Sequence, residues 1–311
     1  MIRFGAVSAK LDFKWSVLVA MVGLDLVWML ADGWSFQQGS LVAPAILLPA
    51  VSIPLFIRRY REDALIFSLC ESVIFSLILA WSAAILSYLA VSANFPLIDQ
   101  SLAAADKFLG FNWADYYSWS MSHATFQSVL VEAYGTLAKQ SWLVVAFLCI
   151  TRRKARIQEF LELTAALFAI SILLSIPIPA AGAPNFYASS VHADVSGWSH
   201  FDLLRAGSLK LIDLNAMQGL VSIPSVHTVM AILLCWAVRG TRLAYIVIPL
   251  NILVLLSTPV VGGHYITDVL AGALLTAGAI AIRYRLMQKQ AASQGPGFGL
   301  SGRAGTARKY S

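Results

Sequence analysis

Two polar residues stand four positions apart inside a strongly apolar region of this chain. In the stretch "TPVVGGHYITDVLAG" they are His264 and Asp268. On a helix this spacing puts both side chains on one face, where the carboxylate can orient the imidazole and stabilise its charged form. Gly262 and Gly263 permit a close backbone approach just before that helix begins. The pair alone is a weak signal, because the same spacing also suits a structural hydrogen bond.

A second stretch, "QGLVSIPSVHTVMA", supplies a hydroxyl group and another imidazole. Pro224 suits the first turn of a helix, so Ser225 and His227 should lie near the N-terminus of that helix. The free backbone N–H groups at a helix N-terminus favour a bound phosphate. The sequence therefore predicts two helix starts that carry ionisable or phosphate-binding groups.

The composition of the chain indicates a membrane protein. Of its 311 residues, 59% are hydrophobic and only 12% are charged, whereas a soluble domain has roughly 25% charged residues. The net charge of +6 lies in short basic clusters between apolar runs, which argues against a nucleic-acid partner. The three cysteines lie inside apolar runs and form neither a metal-binding spacing nor a disulfide framework.

Eight apolar segments are candidates for membrane-spanning helices, and they predict an all-α, polytopic membrane helical bundle. The third segment is longer than one span needs, and the sixth is short. The segments are 15–32, 41–57, 64–91, 126–150, 159–178, 224–239, 242–258 and 265–284. Residues 1–290 are expected to form a single membrane domain, and the composition of 291–311 predicts a disordered tail.

Lysine and arginine residues cluster in alternate connections between these segments. The N-terminus, the connections after the second, fourth and sixth segments, and the C-terminal end hold most of them. Because these residues concentrate on the cytoplasmic side of membrane proteins, we expect both termini in the cytoplasm. The starts of the sixth and eighth segments then share the outer face, which brings the two polar stretches together. In a bacterial inner membrane, the setting we expect, this is the periplasmic face.

Two long connections also belong to the outer face. The segment 92–125 is amphipathic and aromatic, and we expect Trp113 and Trp119 to lie at the membrane interface. The segment 179–223 is long for a simple connection, which favours a lid or a substrate-binding loop. Glu132 and Lys139, inside the fourth apolar segment, are expected either to pair or to line a cavity.

The two polar stretches resemble the motifs of the type 2 phosphatidic acid phosphatase superfamily. That superfamily carries P-S-G-H followed by S-R-x5-H-x3-D. Ser225 and His227 fit the first motif, with Val226 at the glycine position, and Ser257, His264 and Asp268 fit the second at the correct spacing. The resemblance implies a six-helix phosphatase-like core, a lipid phosphate substrate, and a reaction without a metal or other cofactor.

The resemblance also implies a role for each residue. His264 attacks phosphorus and forms a phosphohistidine, and Asp268 fixes the tautomer of His264. His227 protonates the leaving group and then activates the acceptor. Ser225 and the backbone N–H groups beside it bind the phosphoryl oxygens.

The chain departs from the superfamily pattern where cations are expected. Thr258 replaces the arginine of the second motif, and no K-x6-R-P motif precedes the first. In this respect the chain is similar to the branch that includes inositol phosphorylceramide synthases and sphingomyelin synthases. Phosphate needs charge compensation, so Arg205 and Lys210 are candidates to supply it. The alternative for both is an ordinary loop or headgroup-facing cation.

Three functions remain compatible with these observations. A lipid phosphatase uses water as the acceptor, and a phospholipid headgroup phosphotransferase uses a lipid or polyol hydroxyl. A transporter or flippase is less consistent, because no pair of broken helices repeats in two halves of the sequence. A non-catalytic relative is also less consistent, because all three residues of the covalent step are present. The oligomeric state is not determined by the sequence.

Overall fold

The computed structural model describes residues 12–191 and 199–293, and this part of the chain is almost entirely helical. The only strands described are β1 (Ser35–Phe36) and β2 (Leu211–Ile212), which pair in parallel. The helices are α1 (Phe13–Asp32), α2 (Val42–Phe56), α3 (Arg58–Arg61), α4 (Ala64–Ser92), α5 (Asp99–Phe108), α6 (Trp113–Ser122), α7 (Ala124–Gly135), α8 (Leu137–Ile150), α9 (Lys154–Ser175), α10 (Ala183–Val191), α11 (Ser199–Arg205), α12 (Val226–Ala237), α13 (Ala244–Ser257) and α14 (Ile266–Ser293).

The predicted polytopic helical bundle is confirmed, and each of the eight apolar segments coincides with a helix or a pair of helices. In the described part of the chain, five helices are long and apolar enough to cross a membrane: α1, α2 with the turn before it, α4, α9 and α14. Helices α7 and α8 meet the same criteria only as a pair, which is bent by 45°, and this pair is a sixth candidate span. Helices α12 and α13 have only 12 and 14 residues. At about 1.5 Å per residue they are shorter than the roughly 30 Å hydrocarbon core, so eight full spans remain a prediction.

The helix directions define two ends of the bundle. The starts of α12 and α14 lie side by side, because the Ser225 backbone N–H donates to the Asp268 carbonyl at 3.1 Å. The chain after α4 meets the chain after α9 through the Ile98 N–H and the Pro179 carbonyl, 3.0 Å apart. We call this end the site face. The first residues of α1 and α9 meet at the opposite face, where Lys14 Nζ donates to Gln158 Oε1 at 2.9 Å.

The main apolar core lies between α1, α4, α8, α9 and α12. Its fully buried side chains include Phe75, Val144 and Leu234, one from each of three helices. Interdigitated side chains of this kind fix the relative positions of packed helices. The core therefore holds α12, which starts at the site face, in a rigid position.

Short helices form a cap over the site face. Trp113 at the start of α6 is fully buried and stacks between Tyr117 and Tyr187. Its indole N–H donates to the Pro259 carbonyl at 2.8 Å. The interface prediction is therefore wrong for Trp113, because this site supplies both an aromatic environment and an acceptor for the indole N–H. Trp119 has 47% of its surface exposed, and its position at a membrane interface stays a prediction.

Two further predictions concern the connection 179–223 and the C-terminal tail, and the structure describes only part of each segment. The connection 179–223 contains α10, α11 and β2, and its residues 192–198 lie outside the described part. Its role as a lid or substrate loop stays a prediction. Helix α14 continues through Ser293, beyond the predicted domain end, and residues 294–311 of the predicted tail lie outside the described part.

Candidate active site

Ser225 is the N-cap residue of α12. Its Oγ accepts a hydrogen bond from the Thr228 backbone N–H at 3.4 Å, and the side chain is fully buried. The predicted helix start is therefore correct, although Pro224 lies before the N-cap and not in the first turn. The first N–H groups of a helix have no acceptor within the helix, so this buried N-terminus points unsatisfied donors toward the site.

The predicted pair of His264 and Asp268 forms a hydrogen bond. His264 Nδ1 lies 3.3 Å from Asp268 Oδ2, and both side chains are buried. His264 precedes α14, which begins at Ile266, so the two residues do not share a helix face as expected. Asp268 instead reaches back from the first turn and also accepts from the Tyr265 backbone N–H at 3.1 Å, as in a capping box.

Asp268 Oδ2 has a third donor that the sequence analysis did not identify. The Ser222 hydroxyl donates to it at 2.6 Å. A carboxylate only accepts hydrogen bonds, so the ring of His264 carries its proton on Nδ1. Nε2 is then the unprotonated nitrogen, and it accepts a hydrogen bond from the Ser225 hydroxyl, whose Oγ lies 3.4 Å away. The arrangement presents a nucleophilic nitrogen next to a hydroxyl and a helix N-terminus.

The second histidine lies beside the first. The ring centroids of His227 and His264 are 5.8 Å apart, with the rings nearly perpendicular. His227 Nε2 is 2.7 Å from the hydroxyl of Tyr134, and these two rings stack with centroids 4.5 Å apart. Tyr134 lies at the bend between α7 and α8. The sequence does not single out Tyr134, because nothing in the motifs indicates which residue of another helix packs on His227.

Gly262 is required by the close packing around the histidines. A Cβ atom at this position would lie 2.7 Å from the Thr258 carbonyl oxygen, 2.9 Å from the Tyr134 hydroxyl and 3.0 Å from His264 Cδ2. Gly263 has a φ of 68°, which L-residues rarely adopt. The two glycines thus allow the chain to turn tightly into His264, as the sequence analysis expected.

Two aspartates of α5 hold the segment that carries His264. Asp106 accepts from the backbone N–H groups of Ile266 and Thr267, both at 2.9 Å, and caps α14. Asp99 accepts from the Tyr265 hydroxyl at 2.9 Å. Burial raises the pKa of both carboxyl groups, while the hydrogen bonds they accept lower it. Helix α5, which lies outside the membrane-spanning helices, therefore holds Tyr265 and the start of α14 in place next to His264.

The structure does not bring the two candidate cations to the histidines. Arg205 Nη1 donates to the Phe95 carbonyl at 3.0 Å, and Lys210 Nζ donates to the Asp32 carbonyl at 2.8 Å. Within residues 12–191 and 199–293, no hydrogen bond or ion pair joins a lysine or arginine to His227 or His264. These contacts match the alternative interpretation, in which both are ordinary loop cations, and a phosphate-binding role stays an unsupported prediction.

Thr258 and Ser257, the motif positions before His264, face their own helix. Both side chains are fully buried, and both hydroxyl groups donate to the Val254 carbonyl at 2.7 Å. Ser257 thus makes no described contact with the other motif residues. Glu132 and Lys139 are exposed, and no ion pair between them occurs in the described residues. The described residues contain no group of three or more His, Cys, Asp or Glu suited to a metal ion.

An apolar cavity of about 470 Å³ adjoins the second histidine. Its wall is formed by α4, α8, α9 and α12, together with Tyr134 at the bend. His227 lines the end of this cavity at the site face. A hydrocarbon chain in the bundle would therefore be continuous with the polar site.

A comparison with known families agrees with this geometry. The profile of the PAP2 superfamily matches residues 100–282, which is more than half of the chain and contains all the motif residues. No curated protein and no solved structure gives a significant match. The matched range begins at α5, which caps the His264 segment, and ends within α14, which carries Asp268. The motifs, the contact between His264 and Asp268, and the extent of the match show that this multi-pass membrane protein belongs to the PAP2 superfamily.

Proposed function

We propose that the protein is a lipid phosphatase that hydrolyses a phosphomonoester or pyrophosphate through a phosphohistidine intermediate. The observation that carries this proposal is the environment of His264. Its Nδ1 is held by Asp268 at 3.3 Å, and its Nε2 lies 3.4 Å from Ser225 Oγ at the start of α12. Membership of the superfamily supports a lipid-related, phosphatase-like function in general. The specific chemistry is our inference from the arrangement of the site residues.

In the first step, His264 Nε2 forms a bond to phosphorus while the bond from phosphorus to the lipid oxygen breaks. The imidazole becomes cationic as this happens, and the buried carboxylate of Asp268 stabilises that charge. The Ser225 hydroxyl and the N–H groups at the start of α12 are donors for the phosphoryl oxygens, which gain charge in the transition state.

His227 is the group that exchanges protons with the reacting oxygens. In its protonated form it gives a proton to the departing lipid oxygen, and it then exists as the neutral base. A water molecule next attacks the phosphohistidine, and His227 takes its proton as the bond between nitrogen and phosphorus breaks. The products are the lipid alcohol and inorganic phosphate, with both histidines returned to their initial state.

One observation favours a second function, the transfer of a phospholipid headgroup. Thr258 occupies the position of the superfamily arginine, and its hydroxyl is bonded to the Val254 carbonyl. A phosphomonoester carries close to two negative charges at neutral pH, whereas a phosphodiester carries one. A site with fewer cations is better suited to the diester, which is the substrate type of a phosphotransferase.

Product analysis separates the two functions. The purified protein in detergent is given phosphatidic acid, diacylglycerol pyrophosphate or undecaprenyl pyrophosphate, with and without EDTA. We expect release of inorganic phosphate that persists with EDTA. Transfer of a headgroup from a phosphodiester lipid to an added alcohol, without free phosphate, would replace the first function by the second. Failure to form either product with any lipid would contradict both.

Replacing Tyr134 with phenylalanine should slow the reaction according to the leaving group. Phenylalanine keeps the ring that stacks on His227 but removes the hydroxyl at 2.7 Å from Nε2. A neutral hydrogen bond contributes about 0.5–1.5 kcal/mol, which corresponds to roughly a two- to tenfold loss in kcat. We expect this loss with an alkyl phosphate, whose oxygen needs a proton from His227.

An aryl phosphate provides the control for Tyr134→Phe, because its leaving oxygen is stable without protonation. The comparison uses the rate of phosphoenzyme formation, because the later attack of water needs His227 with either substrate. In this first step the variant should react with p-nitrophenyl phosphate at close to the wild-type rate. An equal loss with both substrates in this step would indicate that the Tyr134 hydroxyl supports the structure and not the proton transfer of His227 to the leaving group.

A further inference from the structure

The cavity beside His227 presents carbon atoms almost throughout. Its wall includes Leu79, Val145 and Phe168 from three different helices. Two of the hydroxyl groups on the wall are turned away from it. Ser141 Oγ donates to the Leu137 carbonyl at 2.9 Å, and Thr164 Oγ1 donates to the Phe160 carbonyl at 2.8 Å. Most of the cavity wall therefore offers no hydrogen-bond partner to a water molecule.

The cavity extends from the site face deep into the bundle. Tyr134 and His227 line one end, and Phe160, Leu161 and Val145 line the part nearest to the opposite face. From Tyr134 at the end of α7 to Val145 on α8 the chain advances by at most about 16 Å at about 1.5 Å per residue, because the two helices meet at a 45° bend. This is close to half of the roughly 30 Å hydrocarbon core of a bilayer. The depth thus matches the chains of one leaflet.

The space of about 470 Å³ between four helices is partly open at the side of the bundle, because Ala80, Ala138 and Trp142 on its wall are exposed. Apolar cavities do not hold water well, but they bind apolar molecules. Inside a membrane the apolar molecules at hand are lipid chains. A chain in this space would carry its polar end to His227, which lies beside His264. The position of the polar end distinguishes a substrate chain from a lipid that merely fills a gap.

We propose that the cavity binds one alkyl or isoprenoid chain of the substrate, and that Phe160 and Leu161 at its inner end limit the length of that chain. The inference rests on the proposed function, because the chain is taken to belong to a lipid phosphate ester. It adds a substrate class, namely phosphate esters with a chain that fits one leaflet. Short water-soluble phosphates lack this contact and should react slowly.

The lead experiment measures kcat/KM for a series of monoalkyl phosphates of increasing chain length, at a constant mole fraction in mixed micelles. The wild type should show an optimum, because shorter chains leave part of the wall uncovered and longer chains meet Phe160. Phe160→Ala deepens the cavity and should move the optimum to longer chains. Each added methylene is worth up to about fourfold, so the preference for long over short chains should rise about tenfold.

Two further variants make the result specific. Ala80→Phe adds bulk to the wall and should move the optimum to shorter chains. Because it fills space and removes no buried side chain, it carries the test if Phe160→Ala does not fold. Phe147→Ala is the matched control, since Phe147 lies on α8 but does not line the cavity. An optimum that is the same in all active variants would overturn the proposal.

A labelling experiment separates this proposal from the proposed function. An alkyl phosphate with a photoreactive group at the chain end should label Phe160, Leu161 or Val145, and this requires no turnover. Such labelling without any catalysis would support the chain site while contradicting the phosphatase. Equal labelling by the matched alcohol without phosphate would show that the cavity holds bulk lipid, and the proposal would then be wrong. Catalysis without labelling of these residues would also overturn it.

Discussion

Replacing His264 with alanine should abolish phosphoryl transfer, lowering kcat/KM by about three orders of magnitude or more. The variant lacks the Nε2 atom that forms the bond to phosphorus, and in the described residues no other imidazole nitrogen is hydrogen-bonded to Ser225 Oγ. The measurement is release of inorganic phosphate from the best lipid substrate in detergent. The loss should appear in kcat, because a nucleophile acts on the bound substrate and contributes little to binding.

A phosphoenzyme provides the direct readout for His264. The wild type, mixed with labelled substrate and quenched rapidly, should retain phosphate in an acid-labile bond, and His264→Ala should retain none. His123→Ala is a matched control, because His123 is exposed at the junction of α6 and α7, away from the site. It should leave both measurements unchanged. Phosphate release by His264→Ala at the wild-type rate would show that the nucleophile has been assigned incorrectly.

The sequence predicted the bundle and the central part of the site for identifiable physical reasons. Apolar runs and basic clusters report directly on membrane spans, because lipid excludes polar side chains and charge asymmetry orients the chain. The pairing of "PSVH" with "GGHYITD" was predictable because only α12, α13 and the short connection after each helix separate them. A short hairpin brings both helix starts to the same face, where Ser225 and His264 do meet.

The groups that surround this centre were not predictable in the same way. Tyr134 lies 93 positions from His227 in the sequence, and Asp106 lies 160 positions from Ile266. Such contacts depend on how helices rotate and bend in three dimensions, which no local spacing records. The sequence does indicate Asp99 and Asp106 weakly, because two carboxylates on one short helix need hydrogen-bond donors nearby if that helix is buried.

The positions of the two candidate cations were also not predictable from local spacing. Arg205 and Lys210 lie close to Ser225 in the sequence, but each donates a hydrogen bond to a distant backbone carbonyl. Thr258 is fully buried, and the positions around it are close-packed. Because the Thr258 side chain is fully buried, an arginine at this position would need space that other residues now occupy. A threonine at this position is thus consistent with the burial of the side chain. The donors that remain at the site are hydroxyl and backbone N–H groups.

Replacing Asp268 with asparagine should lower kcat by about two to four orders of magnitude, as changes of the orienting carboxylate do in other triads. Asp268 Oδ2 accepts hydrogen bonds from His264, Tyr265 and Ser222. An amide oxygen in that position can still accept the three hydrogen bonds, but the side chain loses the negative charge that stabilises cationic His264. The amide nitrogen would then replace Oδ1, which is buried without a hydrogen-bond partner in the structure. In the opposite orientation the amide would face three donors with its own N–H groups.

Ser222→Ala tests the same carboxylate with a smaller change than Asp268→Asn. It removes one donor to Oδ2 and leaves the charge in place, so kcat should fall by about tenfold. The thermal unfolding midpoint of each variant in detergent shows whether the loss comes from the chemistry or from the fold. If Asp268 acts through His264, phosphoenzyme formation should decrease in the order wild type, Ser222→Ala, Asp268→Asn. A folded Asp268→Asn variant that forms phosphoenzyme at the wild-type rate would limit Asp268 to capping α14, and the tautomer of His264 would then have to be fixed by another group.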